Sequence, residues 1–459
     1  MPGAGRGTPL DPDTARAVIA ARCWPIRPEA PLLGAVGLEC EAFPIAMAGD
    51  GAPAGRARRS TVTPLLEGPL APLGRTPPPG ETGSSGWVTL EPGAQVEHAT
   101  RVHPTAAGAL TESARGTSAL AAALRPGGVV LASAGMDLWH PLASVPQQLT
   151  FPRYPAMEAY FALRGGVDGP GAVMMRHTCA FQVNLDLGPP SVAAERWLVA
   201  ALVGPMLTAS FAASPTADMA SGRAAVWQEL DSTRTGVPAG LLAGRGLEDD
   251  PVGELTAGAL DADVLLFVTR SGEEAQPGAV AGVPGFSFAD WLREGHPVHG
   301  RPDAEDLAYH LTTLWPEVRV RGFLEIRTLD ALPLRWRAVP VVLLTGLLYD
   351  DRARAAVRDL LERHCRDLPR LAERGARTAV ADPALCALAV ETWSLALAGA
   401  RRLPEGYLRS GDLQAVEAFL ERFTLRGRCP ADELREALAV SPAAALAWAT
   451  EPVETLIRL

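Results

Sequence analysis

The chain has no lysine, a single asparagine (Asn184) and only five isoleucines among its 459 residues. Without lysine there is no G-x-x-x-x-G-K-[ST], so a P-loop nucleotide site is excluded. H-E-x-x-H and G-x-S-x-G are also missing, which removes those zinc-protease and serine-hydrolase signatures. The "GAGRG" near the start follows no strand pattern, so a dinucleotide fingerprint is not expected. Six cysteines contain no C-x-x-C pair, giving neither a zinc framework nor a secreted disulfide scaffold. All 42 basic side chains are arginines, against 52 acidic ones, and a net charge of −10 argues against nucleic-acid binding. No run reaches the roughly 20 apolar residues of a membrane helix. The opening "MPGAGRGTPLDPDTAR" lacks the apolar core of a signal peptide. These absences predict a cytoplasmic protein with small-molecule partners, no nucleic acid and no membrane.

What is present is Ala, Gly, Pro, Arg and Leu, with 47% hydrophobic residues, enough for one large core or two ordinary ones. "DPDTARAVIAARC" reads as a helix capped by Asp11 or Asp13. "LGAVGLECEAFPIA" alternates as a strand, and "GRTPPPGETGSSG" is a loop. "WVTLEPGAQVEHAT" predicts a second strand bent at Pro92-Gly93. "ESARGTSALAAALRPGG" and "PRYPAMEAYFALRGG" predict helices, and "VVLASAG" a short strand. "GAVMMRHTCAFQVNLDLG" predicts one long strand and "SVAAERWLVAALVGPMLTASFAA" one apolar helix. "DADVLLFVTRSG" and "VRVRGFLEIRTLD" read as strands, and the chain is helical from Val339 onward. Strands and helices do not alternate strictly, so the expected class is α+β with a largely antiparallel sheet.

Glu39 and Glu41 are two apart on a predicted strand and therefore share a face of the sheet. Glu91 and Glu97 are six apart and in phase unless the bend shifts them. Glu325 sits among Phe323, Leu324 and Ile326, with Arg327 two residues on. Like charges on one face cost stability, and partly buried ones call for a cation. Hard oxygen ligands select Mg²⁺, which uses one or two carboxylates per ion together with phosphate oxygens. This many glutamates predicts more than one Mg²⁺ around a nucleoside triphosphate. Gln182 and Asn184 follow the same two-residue spacing, so their amides share a face and can bind metal, carboxylate or phosphate.

In order along the chain, "GLECEAF", "TLEPGAQVEHA", "MMRHTCAFQVNLD", "ERWLVAALVGPMLTASFAASP", "DSTRTG" and "HLTTLWPEVRVRGFLEIRTLDALP" resemble the glutamate–cysteine ligase family. The likeness is to the branch that serves ergothioneine biosynthesis. It runs from about residue 34 to 350. It implies a glutamine synthetase-related fold with a curved sheet whose concave face holds ATP, Mg²⁺ and glutamate. Matched motif by motif, Glu39, Glu41, Glu91, Glu97, Gln182 and Glu325 are the implied metal ligands. Arg327 is implied beside the transferred phosphate, and Asn184 and Arg234 beside substrate. The implied reaction joins the glutamate γ-carboxylate to the cysteine amine through a γ-glutamyl phosphate. On this reading residues 1–32 are an N-terminal flexible and helical segment, 33–350 the catalytic domain and 351–459 a helical layer packed on it.

Several positions depart from the family text: Ala94 where a second glycine is common, His98 where an apolar residue is expected, Ala213 where asparagine is usual, and the looser "GRAAVW" and "LDSTRTG". None removes an implied metal ligand. They leave open a different amine acceptor, or a relative that binds without turnover. Cys40, between two glutamates, is expected to point to the opposite face as packing.

Overall fold

The computed structural model describes residues 8–49, 51–67, 86–245, 247–269 and 278–452. The strands are β1 (Val36–Met47), β2 (Pro53–Arg56), β3 (Trp87–Leu90), β4 (Val96–Ala99), β5 (Val129–Ala132), β6 (Ala180–Asp186), β7 (Leu266–Thr269), β8 (Gly278–Ala281), β9 (Val318–Val320) and β10 (Phe323–Asp330). The main sheet runs β3-β4-β1-β6-β10-β9, every neighbouring pair antiparallel. β1 is long enough to serve two partner sets. Its first half pairs β4 and β6, and its second half pairs β2 and β5. β7 and β8 form a separate two-stranded sheet. The architecture is the α+β, mostly antiparallel one expected.

Alternation decides what each face does. Leu38 and Cys40 on β1, Val183 and Leu185 on β6, and Leu324 and Ile326 on β10 all enter one buried apolar cluster. The same cluster takes in Val341, Leu344 and Leu348 of the nearly all-buried helix Leu334–Tyr349, and Trp393 of helix Pro383–Ala400. Helices on both sides of residue 350 therefore share one core. Helix Pro383–Ala400 is long and apolar enough to cross a membrane by length and composition. It packs against Leu334–Tyr349 instead of standing alone.

Four local expectations need revision. "WVTLEPGAQVEHAT" is a hairpin, not a bent strand: Thr89 pairs Glu97, and the Glu91 and Ala94 amides donate to Gln95 and Glu91 carbonyls. Its three-residue turn, Pro92-Gly93-Ala94, ends with Ala94 at φ 63°, the left-handed conformation such loops need. A glycine would occupy it without Cβ strain, which explains why alanine there is a departure. "GAVMMRHTCAFQVNLDLG" begins as helix Pro170–His177 and becomes strand only at Ala180, because Pro170 at its first turn is pre-set for helix. "SVAAERWLVAALVGPMLTASFAA" is two helices, Pro190–Leu202 and Gly204–Phe211, bent by 44° where Pro205 interrupts the backbone ladder. "VRVRGFLEIRTLD" is likewise two strands, turning at Gly322 with φ 79°. The N-terminal helix Pro12–Cys23 is capped by Asp11. The loop expected at 74–86 lies, except for Gly86, outside the described residues.

Candidate active site

The face of the sheet opposite the core is built from the alternate residues of the same strands. Glu39 pairs Gln182, Glu41 pairs Glu97, Glu325 pairs Asn184 on one side and Arg319 on the other. Paired residues in an antiparallel ladder point the same way, so one surface collects all of them. The hairpin adds Glu91, two residues beyond Thr89 and thus on the Glu97 side. The in-phase relation of Glu91 and Glu97 holds, but across a turn rather than along one strand.

This surface floors a pocket of about 340 Å³. Its acidic lining, the glutamate wall, is Glu39, Glu41, Glu91 and Glu97. Its basic lining, the arginine wall, is Arg153, at the start of helix Arg153–Gly165, with Arg319, Arg321 and Arg327 from the β9–β10 hairpin. Gln182, Trp227 and Trp315 complete it. The β10 ladder slips between Ile326 and Leu329, and such a bulge re-aims the residue it carries, here Arg327.

The two walls differ in how their charges are met. Glu325 has both carboxylate oxygens engaged: it accepts from Arg319, including Nη2 at 2.7 Å, pairs Arg321 at 3.3 Å and lies 3.4 Å from Arg327. Burial works against its charge, yet Arg319 and Arg327 hold its carboxyl down at about 2. Among the described residues no guanidinium is within ion-pair distance of the four pocket glutamates, and three of them accept from neutral donors. Asn184 Nδ2 donates to Glu39 at 2.9 Å, the Ala180 amide to Glu41 at 2.8 Å, and Thr89 Oγ1 to Glu97 at 3.1 Å. Burial, then the charge of Glu325, raises Glu39; burial raises Glu41. Burial and then Glu41 push Glu91 up to about 7, and burial with Glu39 pushes Glu97 well above its ordinary value. Carboxyls raised in this way are short of positive charge.

A hard divalent cation fits that donor set by chemistry. A second observation agrees: Asn184 Oδ1 is buried with no partner, although its amide nitrogen is engaged. Among the described residues, no three acidic, histidine or cysteine side chains already close round one point, so the glutamates are near one another without forming a finished cage.

Of the residues singled out in the sequence, Glu39, Glu41, Glu91, Glu97, Gln182 and Arg327 line this pocket. Arg327 Nη1 donates to Gln182 Oε1 at 2.8 Å. Asn184 stands just behind Glu39. Two others lie outside the pocket lining. Glu325, implied as a metal ligand, is ion-paired with Arg319 and Arg327, which do line it. Arg234, implied at substrate, is fully buried elsewhere, its guanidinium taken by Asp231, Thr313 and the Asp263 carbonyl. His98 is buried on the core face against helix residue Gly116, away from Glu97. Cys40 does face the core, 3.1 Å from Ser113 Oγ.

Arg319 and Arg321 were missed, though their alternation in "VRVRG" is the same two-residue signal that singled out Glu39 and Glu41. Arg153, Trp227 and Trp315 left no such signal, because helix and loop placement alone brings them in.

The model of the glutamate–cysteine ligase family 2 matches residues 35–455. Glutamate–cysteine ligase EgtA of Mycobacterium tuberculosis is 36% identical over 413 residues, covering 88% of this chain and 86% of its own. The EgtA of Mycolicibacterium smegmatis is 35% identical over 358 residues, covering 76% and 77%. The chloroplastic glutamate–cysteine ligase of Medicago truncatula is 30% identical over 298 residues, 62% of this chain and 54% of its own. Among solved structures, a glutamate–cysteine ligase of Francisella tularensis in complex with AMP superposes with a TM-score of 0.55 at 13% identity, covering 92% of this chain and 88% of that one. That last likeness speaks to the fold alone.

Proposed function

Because the chain belongs to the glutamate–cysteine ligase family 2, matched over residues 35–455, we propose that its pocket joins the γ-carboxylate of glutamate to the amine of cysteine at the expense of ATP. The protein is a glutamate–cysteine ligase similar over most of its length to the EgtA enzymes, and on our reading the γ-glutamylcysteine it makes serves ergothioneine biosynthesis. The observation that carries the site assignment is the gathering of four glutamates and four arginines in the lining of one pocket.

A carboxylate does not react with an amine at neutral pH and must first be activated. Moving the γ-phosphoryl group of ATP to the glutamate side chain gives an acyl phosphate, which the amine attacks with loss of phosphate. Such transfer is mostly positioning and charge neutralisation. Mg²⁺, bound by Glu39, Glu41, Glu91 and Glu97 with Gln182, would neutralise phosphate oxygens there. Arg327, with Arg319 and Arg153, grips phosphate oxygens, since a guanidinium fork suits two oxygens at once. Glu325 anchors Arg319 and Arg327 so that they do not fold back on the glutamates. Asn184 orients Glu39 through its amide N–H. We place the reaction in the cytoplasm, where ATP is available.

Purified protein with ATP, Mg²⁺ and glutamate, with and without cysteine, tests the reading. Cysteine-dependent phosphate release with a γ-glutamylcysteine mass is the expected result. Release with other amines but not cysteine would change the acceptor, and no release under any condition would overturn the ligase.

A further inference from the structure

Two forces act to unseat the turn that carries Glu91. Ala94 holds φ 63° at its last position, a left-handed conformation that costs any residue with a Cβ. Glu91 also stands near Glu41, whose charge, after burial, helps raise its carboxyl to about 7. Strain and repulsion both favour a turn that swings away from the sheet. Something must hold it there in the metal-free protein.

Gln95 supplies the hold. It is 1% exposed, and both ends of its amide are committed to backbone. Oε1 accepts from the Gly93 amide at 2.8 Å, inside the turn. Nε2 donates to the Met175 carbonyl at 3.3 Å and the Thr178 carbonyl at 3.0 Å, outside it. Those carbonyls lie at the C-terminal end of helix Pro170–His177, where the helix has no amide left to offer them. Only this orientation of the amide gives the Gly93 N–H an oxygen and the two carbonyls an N–H. Gln95 lines the main pocket, but with both N–H groups spent it has no donor left for a substrate there.

The far end of the tie matters as much as the near one. Two residues past Thr178, the Ala180 amide donates to Glu41 at 2.8 Å. A single side chain thus joins the turn bearing Glu91 to the backbone that holds Glu41. The approach is close: a Cβ on Gly93 would fall 2.5 Å from the Arg176 carbonyl oxygen, so glycine lets the turn sit on the helix end. Two further bonds steady the turn, from the Gln148 amide to the Pro92 carbonyl at 2.7 Å and from Arg56 to the Gly93 carbonyl at 3.3 Å.

We propose that Gln95 is a positioning residue for the cation site, fixing Glu91 relative to Glu41 before any cation arrives. The proposal rests on the reading of the pocket glutamates as Mg²⁺ ligands. A preset pair of carboxylates binds a cation without first having to be gathered, so loss of the tie weakens binding itself.

Mn²⁺ is the probe, because it takes the same hard oxygen ligands and its free form is read directly by electron paramagnetic resonance. Full-length Gln95→Leu, checked as folded by circular dichroism, should bind Mn²⁺ about tenfold or more weakly than the wild type. Gln95→Met, which keeps the length and loses the hydrogen bonds, should be weakened to a similar degree. A merely structural glutamine would lower the melting temperature and leave Mn²⁺ affinity in the folded protein alone. Unchanged affinity in either folded variant therefore overturns the proposal. Hydrogen exchange on the wild type gives a second reading that needs no variant. The Gly93 amide should already be protected without metal, and Mg²⁺ with ATP should change its exchange little. Fast exchange that slows only when Mg²⁺ and ATP are added would mean that the cation gathers the turn, and the proposal would fall. If the wild type binds no Mn²⁺, the metal reading fails by itself, and the Gly93 amide alone decides whether the turn is held.

Discussion

Leu38, Cys40 and Ala42 on one face of β1 and Glu39 and Glu41 on the other are neighbours in sequence and opposites in circumstance. The first set is buried against helices and paired strands, where removal from water is favourable and each residue has ordinary contacts. The second set is partly buried beside other carboxylates, with amide and backbone donors but no guanidinium bound to either. On the neighbouring strand β10, Glu325 is buried yet compensated by arginines. Burial alone therefore does not mark function here; burial without compensation does.

The strongest way to break this comparison is Glu39→Ala. Turnover should fall by about a thousandfold or more, on the order of 4 kcal/mol, while the metal-free protein keeps or gains melting temperature because a source of repulsion is gone. Glu325→Ala should lose turnover and also stability, on the order of 3–5 kcal/mol for a buried charge network stripped of one partner. Equal stability losses in the two variants, measured by urea denaturation, would erase the distinction between the walls. Asn184→Ala removes the donor to Glu39 and the unpartnered Oδ1 together; about a tenfold loss of rate, some 1.4 kcal/mol, is expected. An unchanged rate would make the lone asparagine an accident of composition.

The pH dependence of the metal-free protein reads the same contrast thermodynamically. Glu91 and Glu317 are raised to about 7 in the folded state from an ordinary 4.5, so their contribution is present below about 4.5 and is lost as pH rises through 7. Glu325, held at about 2, contributes above about 4.5 and is lost as pH falls toward 2. Melting temperature should therefore decline from about pH 5 to 8, less steeply in Glu91→Gln, with Mg²⁺ and ATP restoring it at the upper end. A flat profile over that range would contradict the uncompensated state of the glutamate wall. The smallest effect belongs to the other face: Cys40→Ala should leave turnover within about twofold, and a larger loss would show that the two faces are coupled.

Much of the site was legible because strand alternation is strict. A two-residue spacing put Glu39 with Glu41 and Gln182 with Asn184 before any fold was known, and the pairing of β1 with β6 then set the two couples side by side. The same rule applied to "VRVRG" would have found Arg319 and Arg321. Turns were less legible. Pro92-Gly93 reads in the sequence as a bend, whereas it is part of the reversal that brings Glu91 to the Glu97 side; alanine stands at the left-handed position where glycine would announce a hairpin. Nothing in the motif around Arg234 announced its partners: its guanidinium is bound by Asp231, Thr313 and Asp263, which only the fold brings together.

The sequence by itself determined the antiparallel α+β class, the exclusion of lysine-based phosphate sites, the family motifs and which glutamates share a face. These follow from composition and from a period-two backbone, which are local properties. Tertiary structure alone decided that Glu325 would be neutralised while Glu39, Glu41, Glu91 and Glu97 would not, and that Arg153 would enter from a distant helix. The reason is that charge compensation and burial depend on which side chains converge through space, and even directly hydrogen-bonded partners of the site, Asn184 with Glu39 and Arg327 with Gln182, lie 145 residues apart.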